Sequence, residues 1–234
     1  MIKTTDCTAM ILAAGKGSRM GPLGENHPKA LLEVAGKPLI QHHIEKLIKV
    51  GFNRIVINVS HLSNQIEAFL INKNYFHKDI LISKESTPLE TGGGIANAMP
   101  LINSDIFPVI NADVYCDLPF SDLRRAIETL SGQTASSGYI FLVDNPPHHL
   151  KGDFALVGDR PSFGDKHTLT FSGIGIYKSS IFNDIFPGSA APLAPILKQE
   201  IKFKRLLGCH FKGLWSDVGT VERLTEINQY FETN

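Results

Sequence analysis

The sequence has no surplus charge of either sign: Lys plus Arg and Asp plus Glu both number 23. The basic field that draws nucleic acid is therefore missing, and so is an acidic tail. An anionic ligand must be held by local geometry instead. Cysteine is scarce. Cys7, Cys116 and Cys209 are odd in number and lack CxxC spacing, which argues against a disulfide framework and for a reducing compartment. No apolar run reaches the length of a membrane span. Residues 9–14 are apolar but too few for the core of a signal peptide, and Asp6 interrupts their approach. The reading is a cytoplasmic protein with neither membrane nor nucleic acid as partner.

Repeats, low-complexity tracts and linkers are absent as well. With 43% hydrophobic residues over 234 positions, the chain can bury a sizeable core as one large α/β domain or two small ones. Short apolar runs at 8–14, 54–59, 80–83 and 106–111 predict buried strands. Between them, 39–50 places Ile40, Ile44, Leu47 and Ile48 on one helical face, and Gly51 ends it. Residues 63–71 and 120–130 are further helix candidates. The second half predicts strands at 138–143 and 168–177, a helix at 192–200, an extended run at 205–211 and a last helix at 221–231 that Thr220 caps. This alternation predicts an α/β fold: a Rossmann-like, mostly parallel mixed sheet with helices on both faces. Ligands then bind beyond the carboxyl ends of the strands. One domain over 1–234 is expected, with a nucleotide half at about 1–115 and an acceptor half at about 116–234.

The segment Leu12-Ala13-Ala14-Gly15-Lys16-Gly17-Ser18-Arg19-Met20 carries most information. A buried strand runs directly into a glycine-bearing turn and then a cation. Gly15 and Gly17 let backbone N–H groups approach phosphate oxygens closely. Arg19 offers a planar fork to such oxygens and Lys29 a compact charge. A lone GxG more often marks a plain turn. A dinucleotide loop fails because Met20 replaces the third glycine, and because 21–28, with Pro22 and Pro28, is not the helix that should follow. A Walker loop fails because no GK[ST] closes it.

Asp113 follows an apolar strand, and Asp217 follows a short apolar segment before Gly219 and Thr220. Two carboxylates suit Mg²⁺, which prefers oxygen ligands. They equally suit turn or helix caps, and spacing does not decide. Glu90-Thr91-Gly92-Gly93-Gly94 precedes a helical pattern at 95–99 and reads either as a backbone that approaches a ligand or as a flexible turn. Asn145 and Asp153 are candidate partners of sugar hydroxyls. His148 and His149 offer either a contact to an acidic acceptor or, the preferred reading, part of a polar surface loop ordered by Pro146 and Pro147. His42 and His43 face different directions on a helix and make a poor metal pair.

The segment 12–20, followed by Pro28-Lys29, resembles the signature of the sugar-1-phosphate nucleotidylyltransferases. The resemblance continues through Val34-Ala35-Gly36-Lys37-Pro38-Leu39-Ile40, Glu90–Gly94, Asn111-Ala112-Asp113 and Trp215-Ser216-Asp217-Val218-Gly219-Thr220, in that order. Within the family, Val143-Asp144-Asn145-Pro146-Pro147-His148-His149, Gly152-Asp153-Phe154 and Thr170-Phe171-Ser172-Gly173-Ile174 are most similar to the branch that uridylates N-acetylmuramate α-1-phosphate in cell-wall recycling.

The resemblance implies a nucleoside triphosphate and a sugar 1-phosphate as substrates, Mg²⁺ as cofactor, and pyrophosphate as product. It implies Asp113 and Asp217 as metal ligands and Arg19 and Lys29 as catalytic cations. Leu12, Ala13, Ala14, Gly15, Gly17, Ser18, Glu90, Gly93 and Asn111 would contact the nucleotide with them, and Asp144, Asn145 and Asp153 the acceptor. Three departures stand out: Gly21 where relatives carry a basic residue, Gly24 where they carry Thr, and Ala112 where they carry Gly. The competing readings are a mannose- or glucose-1-phosphate nucleotidylyltransferase and a nucleotide-sugar sensor without turnover.

Overall fold

A computed structural model describes residues 7–164 and 167–233. Strand β1 (Thr8–Leu12) leads through the glycine-bearing loop to a short helix α1 (Pro22–Asn26), then β2 (Glu33–Val34), β3 (Lys37–Pro38) and α2 (Leu39–Lys49). The chain continues through β4 (Arg54–Val59), α3 (Ser63–Asn72), β5 (Asp79–Lys84), α4 (Glu90–Ile102), β6 (Ile106–Asn111), β7 (Val114–Cys116) and α5 (Ser121–Gly132). It ends with β8 (Gly138–Val143), β9 (Phe154–Val157), β10 (Arg160–Ser162), β11 (Thr168–Lys178), α6 (Leu193–Lys202), β12 (Leu206–His210), β13 (Trp215–Asp217) and α7 (Val221–Thr233).

The main sheet is mixed. Its parallel block runs β6-β1-β4-β5, and β11 joins β6 antiparallel to carry β8 and the β9–β10 hairpin, with β12 parallel on β8. Side chains alternate across this sheet because successive residues point to opposite faces. Ala9 and Ile11 pack with Ile40, Ile44 and Leu47 of α2, Ile66 and Leu70 of α3, and Leu123 and Ile127 of α5. Met10, Val56 and Phe107 pack with Ile95 and Ile102 of α4 and Leu197 and Ile201 of α6 on the other face. Helices therefore cover both faces.

Chain order reverses between β1 and β6: β1 leads on one side to β4 and β5, while β6 returns on the other. A crevice opens at the carboxyl ends of such a pair. The register sets Leu12 opposite Asn111 there, so the loop after β1 and the turn carrying Asp113 face each other.

Two local expectations are corrected. Residues 21–28 do contain a helix, the five-residue α1; Gly21 turns into it at φ 55° and Pro22 occupies its first position, where a missing N–H costs nothing. The three glycines at 92–94 lie inside α4 rather than before it. Their reason is close packing. A Cβ at Gly93 would stand 2.2 Å from the Ser189 carbonyl oxygen, and one at Gly94 2.6 Å from Glu85 Oε1.

Candidate active site

A cavity of about 260 Å³ fills the crevice. Leu12, Ala13, Ala14, Gly15, Lys29, Glu90, Asn111 and Asp113 from the sequence reading all line it. Lys29 belongs to a single 3₁₀ turn after Pro28 that buries it to 9% exposure beneath the loop. Its Nζ lies 3.3 Å from Asp113 Oδ2, so one carboxylate oxygen is paired with a cation while the other stays available. Glu90 opens α4 at φ 58°, a conformation that costs a non-glycine residue of order 1 kcal/mol or more and gathers at ligand sites. A second cavity adjoins the first through Glu90, Thr91 and Asn111, and Asp153, Phe154 and Phe171 line its far side.

The remaining expected residues stand elsewhere. Gly17 is buried below the loop, where Gly24 packs so closely that a Cβ there would sit 2.2 Å from the Gly17 carbonyl oxygen. Ser18 and Arg19 are exposed in the turn after it. Gly93 donates its N–H to the Ala191 carbonyl at 2.9 Å and does not line the cavity. Asp144 is largely exposed beside His210. Asn145 is committed to its own loop: Nδ2 donates to the Leu150 and Thr168 carbonyls and Oδ1 accepts from Thr170 Oγ1. Asp153 accepts from the Phe171 N–H at 2.8 Å, which fixes it at the second cavity.

Asp217 lines neither cavity; a two-stranded ribbon sets it beside the turn that carries Asp113. β13 pairs antiparallel with β7, setting Asp217 opposite Val114, and the Val218 N–H donates to the Asp113 carbonyl at 2.8 Å. The two aspartates, 104 positions apart in the chain, are thus brought side by side in the backbone, Asp113 in the turn before β7 and Asp217 at the end of β13. Asp217 Oδ2 accepts from Arg223 Nη1 at 2.6 Å. His148 Nε2 is 2.6 Å from that same Nη1. As the acceptor of that hydrogen bond, it has no proton for Asp217 Oδ1, 3.0 Å away. Oδ1 is therefore buried without a donor. An orphaned carboxylate oxygen is costly unless a cation or donor arrives. Among the described residues no group of three or more His, Cys, Asp or Glu gathers for a metal. Two carboxylates still fit Mg²⁺, which keeps water and phosphate oxygens in its shell.

Behind Asp113 stands His43 on α2. Its Nε2–H donates to the Val114 carbonyl at 2.8 Å and its Nδ1 is buried without a partner. Burial, with Lys46 adding to it, lowers its pKa from 6.5 to about 3, so the ring is neutral.

Three site residues carry no sequence assignment, and a fourth, His148, reads from the sequence as part of a surface loop. Asn58 Oδ1 accepts from the Ala13 N–H at 2.8 Å, and Asn58 Nδ2 donates to Glu85 Oε1 at 2.6 Å. Both residues are buried and line the first cavity. A polar residue at the carboxyl end of the apolar run 54–59 was the available signal. Arg223 had none, and its partnership with His148, which spans 75 positions, lay outside any local pattern.

Residues 8–150 match the family model described as Nucleotidyl transferase. The chain belongs to that family. A member from Neisseria meningitidis serogroup B, an N-acetylmuramate alpha-1-phosphate uridylyltransferase, is 46% identical over 93% of this chain and 95% of its own. The catalytic subunit beta of a mannose-1-phosphate guanylyltransferase from Xenopus tropicalis is 38% identical over 90% of this chain, which spans 61% of that protein. Among solved structures, an apo UDP-glucose pyrophosphorylase superposes with TM-score 0.80 at 18% identity, covering 100% of this chain and 99% of that one. HddC from Yersinia pseudotuberculosis does so with TM-score 0.75 at 25% identity, covering 96% and 99%. This nucleotidyltransferase shares the fold of both.

Proposed function

We propose that this nucleotidyltransferase transfers a uridylyl group from UTP to N-acetylmuramate α-1-phosphate and releases pyrophosphate, as a cytoplasmic step in the reuse of cell-wall sugar. The observation that carries the reading is that Asp217, at the end of β13, pairs beside the turn that carries Asp113, with the Val218 N–H on the Asp113 carbonyl. The likeness to the Neisseria enzyme supplies the acceptor and the base. Nucleotide groups come from about 1–115 and acceptor groups from about 116–234.

The reaction is an in-line displacement. An oxygen of the sugar phosphate forms a bond to the α-phosphorus of UTP, the bond from that phosphorus to the β-phosphate bridging oxygen breaks, and pyrophosphate leaves with the electron pair. No protein nucleophile is required; alignment and neutralisation of moving charge supply the rate. Gly15, Gly17, Ser18 and Arg19 hold the β- and γ-phosphates. Lys29, already against Asp113, balances charge at the α-phosphate or the incoming phosphate. Mg²⁺ held by Asp113 and Asp217 would draw the phosphate oxygens together and lower their repulsion. Glu90, Asn111 and the Leu12–Ala14 backbone contact the nucleoside, and Asp153 contacts the sugar.

The alternative within the family is a mannose-1-phosphate nucleotidylyltransferase using GTP, since the Xenopus tropicalis guanylyltransferase subunit is 38% identical over 90% of this chain. A panel of nucleoside triphosphates against sugar 1-phosphates, scored by pyrophosphate release with Mg²⁺, separates the readings. Turnover is expected to be highest with UTP and N-acetylmuramate 1-phosphate. Turnover restricted to GTP and mannose 1-phosphate would overturn the assignment, and tight binding without turnover by any pair would make the protein a sensor.

A further inference from the structure

Arg223 begins the last helix, yet its side chain is only 12% exposed. Its contacts to Asp217 and His148 both use Nη1, and Nη2 is turned over the backbone of Gly219. A Cβ at Gly219 would lie 2.3 Å from Arg223 Nη2 and 3.5 Å from Arg19 Nη2. The two guanidinium groups therefore both reach the same point beside Gly219, Arg19 from the glycine-bearing loop and Arg223 from α7. Gly219 does not adopt a positive φ, so its backbone conformation does not require glycine. What requires it is room for the guanidinium.

Two permanent cations meet here, and one carboxylate, Asp217, is paired with Arg223. The side chain of Arg19 has neither a hydrogen bond nor an ion pair among the described residues. Like charges held this close, with a single counter-ion, want a multiply charged anion, and two planar forks suit the oxygens of a polyphosphate. Resting on the nucleotidyl-transfer reading, we propose that Arg223 is a second polyphosphate-binding guanidinium, closing with Arg19 over Gly219 on the triphosphate of the nucleotide. Asp217 is its resting partner. Whatever withdraws Asp217 from Arg223 leaves an uncompensated positive charge facing the phosphates.

The test is calorimetric titration of the metal-free protein, in the presence of a chelator, with inorganic tripolyphosphate. Wild type is expected to bind; Arg223→Gln and Arg19→Gln each weaken binding at least tenfold. Asp217→Asn, which removes a metal ligand and a negative charge, is expected to tighten it several-fold by freeing Arg223. Circular dichroism checks folding; should Arg223→Gln fail to fold, the Asp217→Asn arm decides alone. No binding by wild type, or unchanged binding in folded Arg223→Gln, overturns the proposal; where Arg223→Gln does not fold, unchanged binding in Asp217→Asn overturns it. Pyrophosphate release by wild type is measured beside it. Turnover with unaltered Arg223→Gln binding sinks this inference only, whereas no turnover with any substrate pair sinks the nucleotidyl-transfer reading.

Discussion

Lys29 and His43 illustrate how single side chains make this site work from opposite directions. Lys29 is a buried cation whose charge is spent on Asp113 and on the crevice. Replacing it with Ala leaves that carboxylate without its partner and the reacting phosphates without a counter-charge. The expected loss in kcat/KM is on the order of a hundredfold or more, with an unchanged circular dichroism spectrum; near-normal kinetics would remove Lys29 from the catalytic set. His43 acts through the backbone, by holding the Val114 carbonyl next to Asp113. Its folded pKa, about 3, lies below that of the unfolded chain. As pH falls, the unfolded chain takes the proton first. The stability it contributes is full above pH 6.5 and drains by roughly 1.4 kcal/mol per pH unit between there and about pH 3. Urea unfolding at pH 7 and pH 5 should therefore show a larger acid loss in wild type than in His43→Leu. An equal loss in both would mean that the ring is charged or exposed in the folded protein.

At the scale of elements, legibility followed local pattern. The runs 54–59, 106–111 and 138–143 coincide with β4, β6 and β8 residue for residue, since an apolar strand between turn residues has little else to become. α2 was readable from its apolar stripe. The β9–β10 hairpin was not, because Arg160-Pro161-Ser162 carries no alternating pattern and pairs only through contact with β9. Nor was α4 readable over its full length: three glycines argue against a helix by intrinsic propensity, and packing against 189–192 outweighs that preference. Gly93→Ala would drive a methyl into the Ser189 carbonyl. It should lower stability in urea by about 1–3 kcal/mol despite improving helix propensity. A stabilised variant would show that the 189–192 segment yields freely.

On the scale of the whole molecule, the parallel block builds a crevice at the β1–β6 reversal, and a small ribbon, β7 with β13, sets Asp217 beside the turn that carries Asp113. The resemblance named both aspartates from their motifs. What brings them together, the Val218-to-Asp113 hydrogen bond and the Asp217–Val114 register, is a long-range pairing that no local window contains. The same distance hid the pairing of Arg223 with His148. Binding of Mn²⁺, a paramagnetic stand-in for Mg²⁺, followed by electron paramagnetic resonance in the presence of UTP, tests this convergence most directly. One site per chain is expected in wild type, and either Asp113→Asn or Asp217→Asn alone should weaken it by tenfold or more in protein that remains folded. Wild-type affinity surviving in either variant would contradict a shared cation.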